Sequence, residues 1–98
     1  MSLGPDDIVI CSPRVLSQIL DGEAVILDLA SGTYFGLDDV STAIWQLVTT
    51  DAGTTVGAIR RRMLAEFDVT EEVLDRDLAS FLQTLEERGL VTLSSPPP

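Results

Sequence analysis

The side chains that most often do chemistry are scarce in this chain. Among 98 residues there is no histidine and a single cysteine, Cys11. Lacking histidine, the chain lacks the usual general base, the serine-type triad and most zinc sites. Cys11 has no imidazole to activate it and lies in an apolar stretch, so its expected role is that of a buried structural thiol. The acidic pairs Asp38–Asp39 and Glu71–Glu72 each precede a helical pattern and read as helix starts rather than catalytic carboxylates. GTYFG, from Gly32 to Gly36, has neither the spacing nor the lysine of a phosphate loop. The expectation is a protein with no catalytic residues, no metal and no cofactor.

Charge narrows the classes further. Sixteen acids stand against six bases, a formal net charge of −10. Nucleic-acid binding rests on lysine and arginine neutralising phosphates, so this balance disfavours it. The one basic run, Arg60–Arg61–Arg62, falls in a helical pattern that spreads its charges around the helix. No apolar run reaches the length of a membrane span and no signal peptide is visible, so no membrane partner is expected. With one cysteine no internal disulfide can form, which fits a reducing, cytoplasmic home.

The elements follow from pattern and punctuation. Asp7–Ser12 and Val15–Leu20 are candidate strands, separated by Pro13. Asp21–Gly22 signals a tight turn into a strand over Glu23–Leu29. If Ala30, Ser31 and Gly32 form a three-residue loop, Leu29 faces Thr33, Leu27 faces Phe35 and Val25 faces Leu37. Those pairs would form the core face, with Asp28 against Tyr34 on the other. Asp38 or Asp39 can cap a first helix whose stripe is Val40, Ala43, Ile44 and Leu47, with Trp45 at its margin. Thr49–Gly53 reads as a loop. Thr54 or Thr55 caps a second helix with Val56, Ile59, Met63 and Phe67 on one side. The third helix starts at Thr70, carries Leu74, Leu78, Phe81, Leu82 and Leu85 inward, and ends at Gly89. Leu90–Leu93 can close with a short strand.

The expected fold class is α+β: a three-stranded antiparallel β-meander followed by a three-helix bundle, winged-helix-like in its last part. The division is a lead-in over 1–14 with a possible extra strand, a domain over 15–93, and a disordered tail over 94–98. Met1–Pro5 can be partly a cloning remnant.

Three stretches, taken in order, resemble one family. They are LDLASGTYFGLDDVSTAIWQLV (Leu27–Val48), TTVGAIRRRMLAEFDV (Thr54–Val69) and DLASFLQTLEERGLV (Asp77–Val91). Together they are similar to PqqD-like proteins, the recognition domains for ribosomally made, modified peptides. The resemblance implies three strands followed by three helices. It also implies a function: the leader of a precursor peptide adds as an antiparallel strand to the third strand, in a groove walled by the third helix. The domain then presents the precursor to a leader peptidase or other modifying enzyme. The Tyr-Phe-Gly-Leu and Ile-Trp forms look most like stand-alone proteins of lasso-peptide pathways. The alternative is a peptide chaperone of pyrroloquinoline quinone synthesis, partnered by a radical enzyme. This sequence lacks the Tyr-Pro-Glu run common there.

Elementary physics agrees with that mode. A last strand over Thr33–Leu37 leaves an edge that an extended peptide can pair with through main-chain groups. Tyr34 is either a groove residue or a cross-strand partner of Asp28, while Thr33 and Phe35 contribute backbone and Gly36 completes the edge. On the third helix, Asp77, Ser80, Thr84 and Arg88 flank the core stripe, with Val73 beside them. Small Ser80 and Thr84 leave room for a peptide, Asp77 and Arg88 can read its charges, and Phe81 offers a ring edge. The same strand edge makes a strand-mediated dimer as reasonable as a monomer. Two rivals remain from other classes. A DNA-binding winged helix conflicts with the charge, and an acyl carrier needs a serine directly after aspartate where Val40 separates Asp39 from Ser41.

Overall fold

The computed structural model describes residues 4–50 and 54–95, the side chain of Thr50 aside. In chain order the elements are β1 (Ile8–Cys11), β2 (Val15–Leu20), β3 (Glu23–Asp28), β4 (Thr33–Gly36), α1 (Asp39–Thr50), β5 (Thr54–Thr55), α2 (Val56–Glu66), α3 (Glu71–Glu87) and β6 (Val91–Ser94). The strands make two three-stranded antiparallel sheets, β2-β3-β4 and β5-β1-β6. The expected meander is present. β1 lies outside the meander and pairs with β6 at the far end of the sequence.

Local chemistry explains the boundaries. Asp21 and Gly22 both take positive φ, 52° and 83°, as the two-residue β2–β3 turn requires. Asp38 caps α1 by accepting the Ser41 amide at 2.8 Å. The Thr55 hydroxyl accepts from Ala58 and the Thr70 hydroxyl from Val73, at 3.1 and 3.3 Å. At the end of α3, Gly89 turns left-handed (φ +74°). Its amide bonds Glu86 and the Leu90 amide bonds Leu85, both carbonyls that the helix leaves open. The expected loop at Thr49–Thr50 is helix instead, and its remainder lies outside the described residues, as do the first three and last three residues of the chain.

The core gathers one face of each element. Ala24 and Ile26 of β3, Ile44, Trp45 and Val48 of α1, Ile59 and Met63 of α2, and the α3 leucines Leu74, Leu78, Leu82 and Leu85 are all buried. Trp45 is therefore central to the α1 stripe rather than marginal, and at 1% exposure it offers no surface to a partner. Arg60 spans α2 to α3, reaching Asp75 at 2.6 Å and Glu71 at 3.5 Å, and Arg62 pairs with Glu66 along α2. The hydrogen bond to Asp75 raises the Arg60 pKa further. Two of the three arginines of the run are thus paired with acids on the helix surface.

The β3–β4 register departs from the expected one. The loop takes in Leu29 to Gly32, with the Gly32 amide bonding the Asp28 carbonyl at 2.7 Å. Asp28 then faces Thr33, Leu27 faces Tyr34, Ile26 faces Phe35 and Val25 faces Gly36. The faces exchange: Ala24, Ile26 and Phe35 look inward, while Val25, Leu27 and Tyr34 look outward. The Asp28 carboxylate does not meet Tyr34. It ties the loop, accepting from the Ala30 amide at 3.0 Å and the Ser31 hydroxyl at 2.9 Å.

Candidate functional site

β4 is the edge of its sheet, and no described strand pairs with its far side. Which of its main-chain groups face that open side follows from the ladder. The Leu37 amide donates to the Ala24 carbonyl at 2.9 Å, so residue 37 is turned toward β3. Antiparallel ladders alternate, so Phe35 also turns its amide and carbonyl toward β3, while the Thr33 amide donates to the Ser31 hydroxyl at 3.3 Å. Tyr34 and Gly36 therefore point theirs away from the sheet. The main-chain groups free to receive a strand are those of Tyr34 and Gly36, not those of Thr33 and Phe35 as the sequence suggested.

The side chains divide between two faces. Phe35 is half-buried on the inner face, packed against the core. Over its ring, 4.8 Å from the centroid, lies the guanidinium of Arg88. Arg88 is the C-cap of α3, so the Gly89 and Leu90 hydrogen bonds that end the helix fix its backbone. Asp77, Ser80, Phe81 and Thr84 run along the α3 stripe that leads to Arg88. Phe81 is half-buried against the core and the other three are exposed. α3 itself packs on α2 and β6, and Arg88 over Phe35 links its C-terminal end to β4. Asp77 has Arg76 as a neighbour at 3.9 Å. Thr33 is exposed in the loop cluster, its hydroxyl 3.0 Å from that of Ser31.

Tyr34 stands apart from this group. Its ring is 69% exposed on the outer face of the meander. There it borders a concavity of about 390 Å³ lined by Leu16, Leu20, Val25 and Leu27. Tyr34 thus gives its backbone to the β4 edge and its side chain to a different surface. Sequence reasoning did not foresee this apolar outer face, because the assumed register placed Val25 and Leu27 inside.

One more residue positions the edge. Thr42, on the first turns of α1, is buried, accepts the Ala24 amide at 2.8 Å and donates to the Leu37 carbonyl at 3.4 Å. It was not singled out from the sequence. Its only signal there was a polar residue one position from the apolar Ala43–Ile44 pair. Cys11 is half-buried, its thiol 3.5 Å from the Ser12 carbonyl, and burial raises its pKa. Among the described residues no three acidic or cysteine side chains gather to hold a metal, and no helix is long and apolar enough to cross a membrane.

The family model described as coenzyme PQQ synthesis protein D (PqqD) matches residues 23–91, most of the chain. The chain belongs to the PqqD family. Two solved structures share the PqqD fold seen here. TbiB1 in complex with the TbiA(beta) leader peptide is 36% identical, with 84% of this chain and 93% of that one covered and a TM-score of 0.77. A lasso peptide synthetase B1 complexed with its leader peptide is 24% identical, covering 86% and 96%, with a TM-score of 0.73. No curated protein sequence matches the chain. The resemblance carried by Leu27–Val48, Thr54–Val69 and Asp77–Val91 is therefore correct at the level of the PqqD family.

Proposed function

We propose that this PqqD-family chain binds the leader segment of a ribosomally made precursor peptide and presents it to a leader peptidase or other modifying enzyme. It performs no chemistry of its own. The observation that carries the reading is the open side of β4. There the main-chain groups of Tyr34 and Gly36 face away from β3, and Arg88 at the end of α3 reaches over the Phe35 ring. A peptide adding as a strand gains sequence-independent hydrogen bonds, and side chains then choose the sequence. Phe35, Asp77, Ser80, Phe81, Thr84 and Arg88 border its inner face, while Thr33 sits at one end. TbiB1, 36% identical, is a leader-peptide complex, which supports leader binding. Lasso-peptide processing is the favoured setting because the Tyr-Phe-Gly-Leu and Ile-Trp forms resemble those of stand-alone lasso-pathway proteins. The family description, coenzyme PQQ synthesis, favours a second setting with a radical enzyme.

A titration of the synthetic leader encoded beside this chain tests the reading. Saturable binding is expected, weakened by Tyr34→Ala and by Phe81→Ala and unchanged by Arg61→Ala. Equal effects of all three would reject the groove. Retention of a cysteine-type leader peptidase rather than a radical enzyme by the loaded complex separates the two settings. Specific retention of DNA at low salt would sink both.

A further inference from the structure

We infer that the peptide received at β4 carries an aspartate or glutamate opposite Phe35, and that Arg88 is the residue that selects it. The inference deepens the strand-addition reading and depends on it.

The ladder fixes the geometry. Phe35 turns its own main-chain groups toward β3, so the residue opposite it on an added strand forms a non-hydrogen-bonded pair. Such pairs bring Cα atoms to about 4.5 Å, the closest side-chain approach in an antiparallel sheet. Directly opposed residues share a face, so the incoming side chain lies on the inner face beside the Phe35 ring. The Arg88 guanidinium lies over that same ring, 4.8 Å from its centroid.

The chemistry of the stack follows. A guanidinium lying on an aromatic ring spends its flat face and leaves its N–H edge open, and that edge matches a carboxylate in two parallel hydrogen bonds. The ring also shields one side from water. Arg60, Arg62 and Arg76 each have a carboxylate partner within the chain, whereas no described ion pair engages Arg88. Arg61 is likewise without one, but no aromatic ring holds it. The helix-ending hydrogen bonds of Gly89 and Leu90 keep the Arg88 backbone in place, and its guanidinium lies over the Phe35 ring with no peptide bound.

The net charge of −10 sharpens the substrate class. A generally acidic peptide is repelled by this surface. The fitting ligand is a neutral or basic leader with one acidic side chain on the groove face.

Fluorescence polarisation tests this with the synthetic leader of the precursor encoded beside the chain. The leader is compared with versions in which each Asp becomes Asn and each Glu becomes Gln, one at a time. Each is titrated against the wild type, Arg88→Gln and Arg88→Lys. Arg88→Gln is expected to weaken binding about tenfold at low salt, as loss of one charged pair does. One peptide substitution should match that loss, and the two together should be no worse than either alone. Arg88→Lys should retain part of the affinity. Unchanged thermal melting of Arg88→Gln assigns the loss to the contact. Arg88→Gln binding within about twofold of wild type, or losses that multiply at every acidic position, overturns the inference while strand addition stands. Failure of the wild type to bind any leader saturably overturns both.

Discussion

The hydroxyl of Thr42 lies 2.8 Å from the Ala24 amide and 3.4 Å from the Leu37 carbonyl oxygen. Ala24 belongs to the central strand of the meander, and Leu37 is the residue at which the chain leaves that sheet for α1. Ala24 and Leu37 also bond each other, amide of 37 to carbonyl of 24 at 2.9 Å. One buried hydroxyl thus joins the helix to the sheet where β4 ends. Thr42→Val keeps the shape but leaves the Ala24 amide without an acceptor. The expected cost is about 1–3 kcal/mol in urea unfolding, with Thr42→Ser losing less. A Val variant as stable as wild type would show that the joint carries no weight.

The β3–β4 register is checked by adjacent truncations. Ile26 is fully buried and Leu27 is half-exposed on the other face. Ile26→Ala is expected to cost about 2–5 kcal/mol, and Leu27→Ala well under half of that. The reverse order would restore the register in which Leu27 faces Phe35.

Much of this architecture is legible from residues with one strong local preference. Asp21–Gly22, Thr70 and Gly89 each occupy a position that few other residues fill as well, and the structure puts all of them where their chemistry requires. The register failed for an equally physical reason. Both faces of Glu23–Leu29 are apolar, so alternation does not choose between Ala24–Ile26 and Val25–Leu27. The contacts that accompany the observed register are partly remote: the Leu37 amide bonds the Ala24 carbonyl, and the Ala24 amide bonds the Thr42 hydroxyl on α1. The pairing of β1 with β6, and Thr42 beneath Ala24, are likewise long-range and leave no local mark. On the candidate site, the edge strand and the α3 stripe could be read in advance. The alternation that frees Tyr34 and Gly36 could not, because it inherits the register.

The N-terminal segment is part of the α2 cap. The first two amides of α2 donate to it, Val56 to the Asp7 carbonyl at 3.0 Å and Gly57 to the Pro5 carbonyl at 2.8 Å. A Cβ on Gly57 would stand 2.9 Å from that Pro5 oxygen, inside any real contact distance. Gly57→Ala is expected to destabilise by about 1–3 kcal/mol in the full chain. In a chain beginning at Ile8 the same change should cost nothing, since the obstructing oxygen is gone. A penalty that persists after truncation would contradict the close approach.

Proline separates the two kinds of β4 amide. Tyr34→Pro removes an amide that faces the open side and leaves the β3 ladder intact. It should keep the protein folded and weaken leader binding about tenfold or more. Phe35→Pro removes an amide spent on β3 and should lower the melting temperature sharply. Circular dichroism melts and leader titration of both variants check the pair. Full leader affinity in Tyr34→Pro would contradict docking at this edge.

Burial raises the Cys11 pKa above its ordinary value of 9.0. The folded state therefore favours the neutral thiol. The resulting stability is fully present below the unfolded pKa and is lost as pH rises through the folded one. Across pH 6 to 8 no dependence from this group is expected. As pH rises above 9.0 the wild type should lose stability that Cys11→Ala does not, as linkage requires. Alkylation of Cys11 by iodoacetamide at pH 8 should be slower than that of free glutathione. A rate equal to glutathione's would contradict the half-buried thiol.

The first and last strands of the chain lie side by side, with Ile8 opposite Ser94 and Cys11 opposite Val91. The backbone therefore enters and leaves this fold through one doorway. Splicing the fold into a loop of a larger enzyme would need to bridge little more than the spacing of two paired strands, so the host would lose little conformational freedom. The same neighbourhood makes a single chain carrying both the recognition fold and its processing enzyme an easy architecture to reach. A tether attached at Ile8 or at Ser94 would start from nearly the same point in space.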